Sequence, residues 1–225
     1  MDDIIPTLSR VSRSKMSARA NYNRMSRWYD WISGGAEKKY RDIGLQKLGA
    51  NPGEQILEIG FGTGHCLVAL ARSVGDTGKV FGIDISEGMM EVARVRLRDA
   101  VLSYRVELHQ GDATTLPFDP VAFDAIFVSF TLELFDTPEI PVMLRECLRV
   151  LRTGGRICVV ALSKEHESWT TRMYEWFHEK FPKIIDCRPI FVQQALSASG
   201  FEAVDVNITS MWGLPVEIAL AWKKS

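Results

Sequence analysis

Residues 55–65 read QILEIGFGTGH, and this stretch decides the fold of the chain. A short apolar run ends in Glu58-Ile59, and glycine then occupies every second position from Gly60 to Gly64. Glycines at this density allow positive φ angles and let a ligand approach the main chain directly. A strand that leads into such a turn and then into a helix typically builds a nucleotide-type site at the carboxyl edge of an open α/β sheet. We therefore ask which other residues complete such a site.

Composition and charge narrow the class of protein. The chain has 225 residues, of which 46% are hydrophobic and 24% are charged, and these values are ordinary for one α/β domain with an ample core. The formal net charge of −1 provides no overall basic field for nucleic acid, so no nucleic-acid partner is expected. Basic residues do gather in the first 28 positions, where a solvated helix and an RNA-binding arm are the two interpretations.

Cysteine spacing and hydropathy indicate the compartment. The four cysteines show neither C-x-x-C spacing nor a histidine at ligand spacing, so the sequence predicts no metal site. We expect a reduced, cytoplasmic protein without a secretory signal or an apolar run long enough to span a membrane. Peripheral contact with a membrane remains compatible with this pattern, and the sequence leaves the oligomeric state open.

Strand and helix patterns alternate along most of the chain. The strand in the opening stretch is followed by predicted strands at 79–83, 106–110, 123–128, 156–162, 204–209 and 215–222. Helices are predicted at 36–48, 65–73, 86–98, 138–151, 168–181 and 189–199. Helical crossovers between strands predict a parallel, doubly wound Rossmann-like sheet, and the last two strands predict an antiparallel hairpin at its edge. We expect residues 1–50 to form an N-terminal helical flap, and 51–225 a main domain with an aromatic insertion at about 163–188.

The glycine turn does not fit a dinucleotide. The dinucleotide pattern G-x-G-x-x-G requires a third glycine where this chain has His65. Glu58, at the end of the strand, would repel a pyrophosphate but would suit a ligand that carries positive charge. The turn therefore favours a cationic, phosphate-free ligand.

Two further strand ends supply the remaining polar groups. Asp84 ends the second strand, where a carboxylate can accept both hydroxyls of a ribose. Asp112 and Ala113 follow the third strand, where they can pair with an adenine, and Ile85 and Met89 are apolar neighbours for its two faces. S-adenosyl-L-methionine satisfies all of these positions, because it combines an adenine, a ribose and a cationic sulfonium without phosphate. Each acid alone would more often be a helix cap or a loop residue.

With these strand ends, the chain resembles the class I S-adenosylmethionine-dependent methyltransferases. The resemblance covers about residues 20–165 and rests on four motifs, at 58–64, 82–86, 111–113 and 151–156. Residues 22–30 resemble the Y-x-R-x-x-x-x-Y-D segment of the ubiquinone/menaquinone-biosynthesis C-methyltransferase group and its relatives. The resemblance implies a seven-stranded sheet in the order 3-2-1-4-5-7-6 with the last strand antiparallel. It also implies that Tyr22 reaches the methionine end of the cofactor beside Gly60, Gly62 and Gly64.

Two departures from the family pattern concern the turn and the acceptor side. Phe61 and His65 replace the commoner cysteine and the commoner aspartate or asparagine around the glycines. Residues 129–134, SFTLEL, stand where quinone enzymes have an asparagine-containing stretch. The second departure bears on quinone specificity and not on cofactor binding.

Methyl transfer from a sulfonium requires in-line positioning of the two reactants, and a base only when the acceptor must lose a proton. We expect Ser129, Phe130, Thr131 and Glu133 to line the reaction centre, with Ser129 also contacting the cofactor. Glu133 is the candidate base, although a surface or capping glutamate is the alternative interpretation.

Aromatic residues predict the acceptor class. Six of them, which could equally be core residues, are candidates for an apolar acceptor wall: Trp28, Trp31, Trp169, Trp176, Phe177 and Trp212. Methyl transfer to a small, hydrophobic or aromatic molecule is the leading prediction. The alternatives are an RNA or protein methyltransferase that uses the basic N-terminus, and a non-catalytic protein that binds S-adenosylmethionine. An N-P-P-[YF]-like motif, usual for amino-nitrogen targets in nucleic acids, is absent.

Overall fold

A computed structural model of the chain describes residues 34–164 and 188–224. The helices are α1 (Gly34–Leu48), α2 (His65–Ser73), α3 (Glu87–Asp99), α4 (Ile140–Val150) and α5 (Val192–Ala198). The strands are β1 (Gln55–Ile59), β2 (Lys79–Asp84), β3 (Val106–Gln110), β4 (Phe123–Ser129), β5 (Leu151–Leu162), β6 (Phe201–Met211) and β7 (Leu214–Lys223). Tyr22 and the predicted helix at 168–181 lie outside the described residues.

The strands form one seven-stranded sheet in the order β3-β2-β1-β4-β5-β7-β6. β1 pairs in parallel with β2 and β4, and β5 extends the parallel set beyond β4. β7 runs antiparallel to both β5 and β6. The predicted doubly wound sheet, its strand order and its antiparallel last strand are confirmed.

Helices cover the two faces of the sheet in separate layers. Side chains of α1, α2 and α3 pack with one set of strand residues, including Ile56, Phe127 and Val160. Side chains of α4 and α5 pack with the alternate set, including Leu57, Ile126 and Val159. This alternation follows from the two-residue period of a strand, and burial on both faces explains the nearly continuous apolar runs of β1, β4 and β5.

Helix α1 is fastened to the sheet at several points. The Tyr40 hydroxyl donates to the carbonyl oxygen of Ser210 on β6 at 2.5 Å. Gly44 lies so close to β5 that a Cβ at this position would stand 2.5 Å from Cγ2 of Val160. Beyond the helix, the Arg156 guanidinium bonds to both carboxylate oxygens of Glu54 and to the carbonyl oxygen of Leu48. These contacts hold α1 against the sheet, while the predicted division of the chain at residue 50 stays a prediction.

The largest boundary differences lie around β5. The sequence predicts a helix up to residue 151 and a strand from Arg156, which leaves the glycines at 154 and 155 in a connection between them, whereas β5 already begins at Leu151. Its pairing with β4 shifts register between Phe123 and Ala125, and Gly154 has a φ of 70°. The glycines therefore form a bulge within the strand rather than a turn before it. Helix α5 begins at Val192 and not at 189. The reason is that the Ile190 N–H donates to the carbonyl oxygen of Leu162, so this residue pairs with the end of β5 instead of joining the helix.

Among the described residues, no helix combines the length and the apolar character that crossing a membrane requires. The same residues contain no cluster of three or more histidine, cysteine or acidic side chains that could hold a metal ion.

Replacing Gly60 by alanine should destabilise the fold more than replacing Gly62. Both residues have positive φ, 70° and 52°, so each alanine carries a similar backbone strain of about 1 kcal/mol. A Cβ at Gly60 would also collide with Cβ, Cγ2 and Oγ1 of Thr131, whereas a Cβ at Gly62 meets no atom within 4 Å. Urea unfolding should show an additional loss of about 1–3 kcal/mol for Gly60→Ala. Equal losses for the two variants would contradict this packing assignment.

Candidate active site

A pocket lies at the carboxyl edge of the sheet, where β1, β2, β3 and β4 end. Nine residues of the predicted cofactor set line it: Glu58, Gly60, Gly62, Asp84, Ile85, Met89, Asp112, Ala113 and Ser129. Residues far apart in the sequence meet here because parallel strands present their carboxyl ends at one edge.

Asp84 ties the glycine turn to the end of β2. The Gly62 N–H donates to Oδ2 of Asp84 at 2.9 Å, and the Ser86 N–H donates to Oδ1 at 2.8 Å. Burial raises the pKa of Asp84, and these backbone hydrogen bonds act in the opposite direction. A carboxylate offers about four lone-pair directions, so Asp84 can hold the turn and still accept from a ligand hydroxyl.

The end of β3 forms the next part of the wall. Oδ1 of Asp112 accepts from the Thr114 N–H at 2.9 Å, and the Gly111 N–H donates to the carbonyl oxygen of Asp84 at 3.0 Å. Ser86 caps the N-terminus of helix α3: its hydroxyl accepts from the Met89 N–H at 3.2 Å and so fixes the first turn. A flat ring could therefore lie between the β2 and β3 ends with Ile85 and Met89 beside it.

Glu58 is the buried acid of the pocket. Its residue is only 3% exposed, and Oε2 has no hydrogen-bond partner among the described residues. Burial raises its pKa well above the ordinary value; the Arg41 charge lowers it, and the Asp84 charge raises it further. A buried carboxyl oxygen without a donor is costly, and a cationic ligand group would satisfy it. The ammonium of S-adenosylmethionine fits this requirement.

The loop after β4 closes the pocket. The Thr131 hydroxyl donates to the carbonyl oxygen of Ser129 at 2.9 Å, and the Ser129 hydroxyl oxygen is buried without a partner among the described residues. Phe130 has a φ of 48°, which is unusual for a residue with a side chain. Its N–H donates to the carbonyl oxygen of Val160 at 2.7 Å and holds this conformation. Phe130, Leu134 and Phe135 give the pocket an apolar wall.

Several lining residues were not anticipated from the sequence. Glu37 and Arg41 reach the pocket from α1, and Arg41 Nη1 donates to Glu37 Oε2 at 3.0 Å. Burial raises the pKa of Glu37 to about 7, while the Arg41 charge lowers it. Glu139 and Cys66 also line the pocket. The E-x-x-x-R spacing of the first pair was the available signal, but in a sequence it indicates only an ordinary surface ion pair.

Comparison with known proteins identifies the family. The sequence profile of the ubiE/COQ5 methyltransferase family matches residues 9–186. The chain belongs to the ubiE/COQ5 methyltransferase family. The ubiquinone/menaquinone biosynthesis C-methyltransferase UbiE of Pseudomonas fluorescens is 34% identical over 165 residues, which are 73% of this chain and 62% of that protein. The chain thus spans less than two thirds of the length of this curated relative.

Solved structures share the fold of this ubiE/COQ5 family member. The [4+2]-cyclase SpnF has a TM-score of 0.75 at 19% identity, over 94% of this chain and 97% of its own. A SAM-dependent methyltransferase from Aquifex aeolicus has a TM-score of 0.67 at 20% identity, over 88% and 97% of the two chains. At these identities the likeness concerns the fold alone.

Two members of the predicted cofactor set do not appear in the lining of the pocket. Gly64 is absent from it, and a Cβ there would stand 2.9 Å from Cβ of Ala93. This third glycine of the turn therefore serves the close approach of α2 and α3. Tyr22 lies outside the described residues, so its role stays a prediction.

Glu133, the predicted base, is not among the residues that line the pocket, and its catalytic role stays a prediction. Glu133 is fully buried in the short 3₁₀ turn Leu132–Leu134. Its two neighbours in the pocket lining are Thr131, just before this turn, and Leu134, the last residue of the turn. Its Oε1 accepts from the Leu162 N–H at 3.4 Å. Burial raises the pKa of Glu133 to about 8. The tight turn directs this side chain into the core beneath the pocket, which the sequence could not show.

Replacing Glu133 by glutamine should remove part of the pH dependence of the free energy of unfolding. The unfolded chain loses the Glu133 proton near the ordinary pKa of 4.5, but the folded chain keeps it up to about 8. Stability therefore falls as pH rises through this window, by up to about 5 kcal/mol. Glu133→Gln should lack this fall. In urea unfolding, the free energy of unfolding of the variant relative to the parent should therefore be higher at pH 8.5 than at pH 5.

The exposed Glu91 provides the matched control, because its side chain is 63% exposed on α3. Glu91→Gln should leave the pH dependence of unfolding unchanged. The assignment fails if Glu133→Gln and the parent lose the same free energy between the two pH values.

Proposed function

We propose that this protein transfers a methyl group from S-adenosylmethionine to a small hydrophobic or aromatic acceptor. The observation that carries the proposal is the buried Glu58 oxygen without a partner, set in a pocket that also contains Asp84 and Asp112 at neighbouring strand ends. An acid-rich pocket of this kind disfavours phosphate and favours a cationic ligand. Membership of the ubiE/COQ5 methyltransferase family supports the same cofactor.

Each part of the cofactor has a candidate partner in this chain. Glu58 accepts from the ammonium, with Gly60, Gly62 and Ser129 around the methionine end. Asp84 accepts from the ribose hydroxyls, while Asp112 and the Ala113 backbone pair with the adenine between Ile85 and Met89. Tyr22 and Gly64 complete the proposed set, Gly64 by holding the helix in position.

The reaction class follows from the chemistry of the sulfonium. The bound cofactor supplies an already activated methyl carbon, so the protein has mainly to align the acceptor with it. Such alignment can contribute about 7–11 kcal/mol to lowering the barrier. Residues of the loop after β4 would provide this alignment, because Ser129, Phe130 and Thr131 line the pocket beside the glycine turn. Glu133 has no catalytic part in this proposal, since it does not reach the pocket.

The apolar wall supports the acceptor class. Phe130, Leu134 and Phe135 form one side of the pocket and suit a planar or lipid-like molecule. The relative from Pseudomonas fluorescens is named as a ubiquinone/menaquinone biosynthesis C-methyltransferase, so we include a quinone-related ring in the proposed class. Trp212 does not support this wall, because it is 78% exposed at the tip between β6 and β7.

Calorimetry with S-adenosylmethionine and with NAD tests the cofactor. We expect binding of the first and none of the second. Asp84→Asn should weaken the binding of S-adenosylmethionine at least about 10-fold, because it removes one acceptor for the ribose and for the turn. Asp99→Asn, at the exposed end of α3, is the control and should bind like the parent. Binding of NAD in place of S-adenosylmethionine would contradict the proposal.

Transfer of a labelled methyl group tests the acceptor. A lysate from a strain that lacks the gene is incubated with the protein and methyl-labelled S-adenosylmethionine, then separated into organic extract, RNA and protein. The proposal expects label in the organic extract, and metabolite profiling of the strain should show a species lighter by one methylene. Label in RNA or protein would favour the macromolecular alternatives, and cofactor binding without any transfer would favour a non-catalytic binding protein.

A further inference from the structure

Arg41 reaches the pocket from α1, a helix that carries none of the motifs that predicted the site. Its side chain is 13% exposed and that of Glu37, one turn earlier, is 14% exposed. The hydrogen bond between them, together with the contacts of Tyr40 and Gly44 that hold α1 on the sheet, fixes where the guanidinium stands.

The charge of Arg41 acts on one end of the pocket. It lowers the pKa of Glu58 and of the Cys66 thiol, both of which burial raises. It is not among the causes of the pKa shift of Asp84, where burial and backbone hydrogen bonds dominate. Arg41, Glu58 and Cys66 line the same pocket, and the Arg41 charge acts on the Glu58 side of it.

The pocket as a whole is rich in acids. The acids that line the pocket are Glu37, Glu58, Asp84, Asp112 and Glu139. In the described part of the chain, the basic side chains that line it are Arg41 and His65. A ligand carboxylate beside Glu58 and Glu37 would be repelled by both, unless a cation stood at the same place. An amino-acid group, with an ammonium and a carboxylate on one carbon, needs an acid and a base side by side.

We propose that Arg41 binds the carboxylate of the methionine end of the cofactor, opposite the ammonium partner Glu58. The inference rests on the proposed function, because it assigns a partner to one group of that cofactor. A guanidinium has five N–H groups and can serve two carboxylates at once, so the pair with Glu37 is compatible with this role. Arg41 is thereby a specificity residue, because it allows an acid-rich pocket to accept a zwitterion.

A matched pair of ligands tests this role without knowledge of the acceptor. Decarboxylated S-adenosylmethionine keeps the adenosine, the sulfonium and the ammonium, and lacks only the carboxylate. By calorimetry, the parent protein should bind S-adenosylmethionine about 10- to 100-fold more tightly than the decarboxylated form, the range expected for a charge-assisted hydrogen bond.

Arg41→Gln should remove or reverse this preference. The variant should lose affinity for S-adenosylmethionine and keep its affinity for the decarboxylated form, whose binding also shows that the variant is folded. Reversal is expected where the carboxylate now meets Glu37 and Glu58 without a cation. Lys38→Gln, which removes an exposed charge on the same helix, is the control and should preserve the parent preference.

Three results would overturn the inference. These are equal binding of the two ligands by the parent, a preference that survives in Arg41→Gln, and an equal loss of both ligands in that variant. Failure of the proposed function is distinguishable, because the parent would then bind neither S-adenosylmethionine nor its decarboxylated form.

Discussion

The hydrogen bond from the Gly62 N–H to Asp84 Oδ2 is the interaction on which the site depends. It joins the turn after β1 to the end of β2, two segments that are adjacent only because β1 and β2 pair in parallel. Positive φ at Gly60 and Gly62 directs the backbone toward the Asp84 carboxylate, and Thr131 fills the space that a side chain at Gly60 would need. Sheet register, turn conformation and loop packing therefore depend on one another.

Burial of acids is the second constraint on this site. Glu58, Asp84 and Glu37 all have raised pKa values because they are withdrawn from water, and Arg41 offsets this at Glu58 and Glu37. Such a cluster costs folding free energy unless hydrogen bonds or cations compensate for it. Backbone N–H groups do so at Asp84, and a cationic ligand would do so at Glu58. The pocket is therefore suited to a positively charged ligand at the expense of stability.

The fold was largely predictable, since the resemblance to the class I methyltransferases implied the strand order and the need for crossover helices explains the alternation of strands and helices. The boundaries around β5 were not, because a glycine pair indicates a turn and a bulge equally well. Glu133 shows a similar limit at the site: its place after β4 predicted the pocket, but the direction of one side chain in a tight turn depends on packing. Gly64 belongs to the motif, yet it serves helix packing against Ala93.

The sequence by itself determined the sheet, the glycine turn and the three acids at successive strand ends, because short-range patterns specify which residues close each strand. Only the tertiary structure decided which side chains from elsewhere reach the same pocket. Arg41 and Glu37 lie outside every motif, and their spacing on α1 resembles a surface ion pair. They became part of the site because close packing at Gly44 and the Tyr40 hydrogen bond hold α1 against the sheet. Contacts between distant segments therefore added two charged side chains to the acids that the motifs supply.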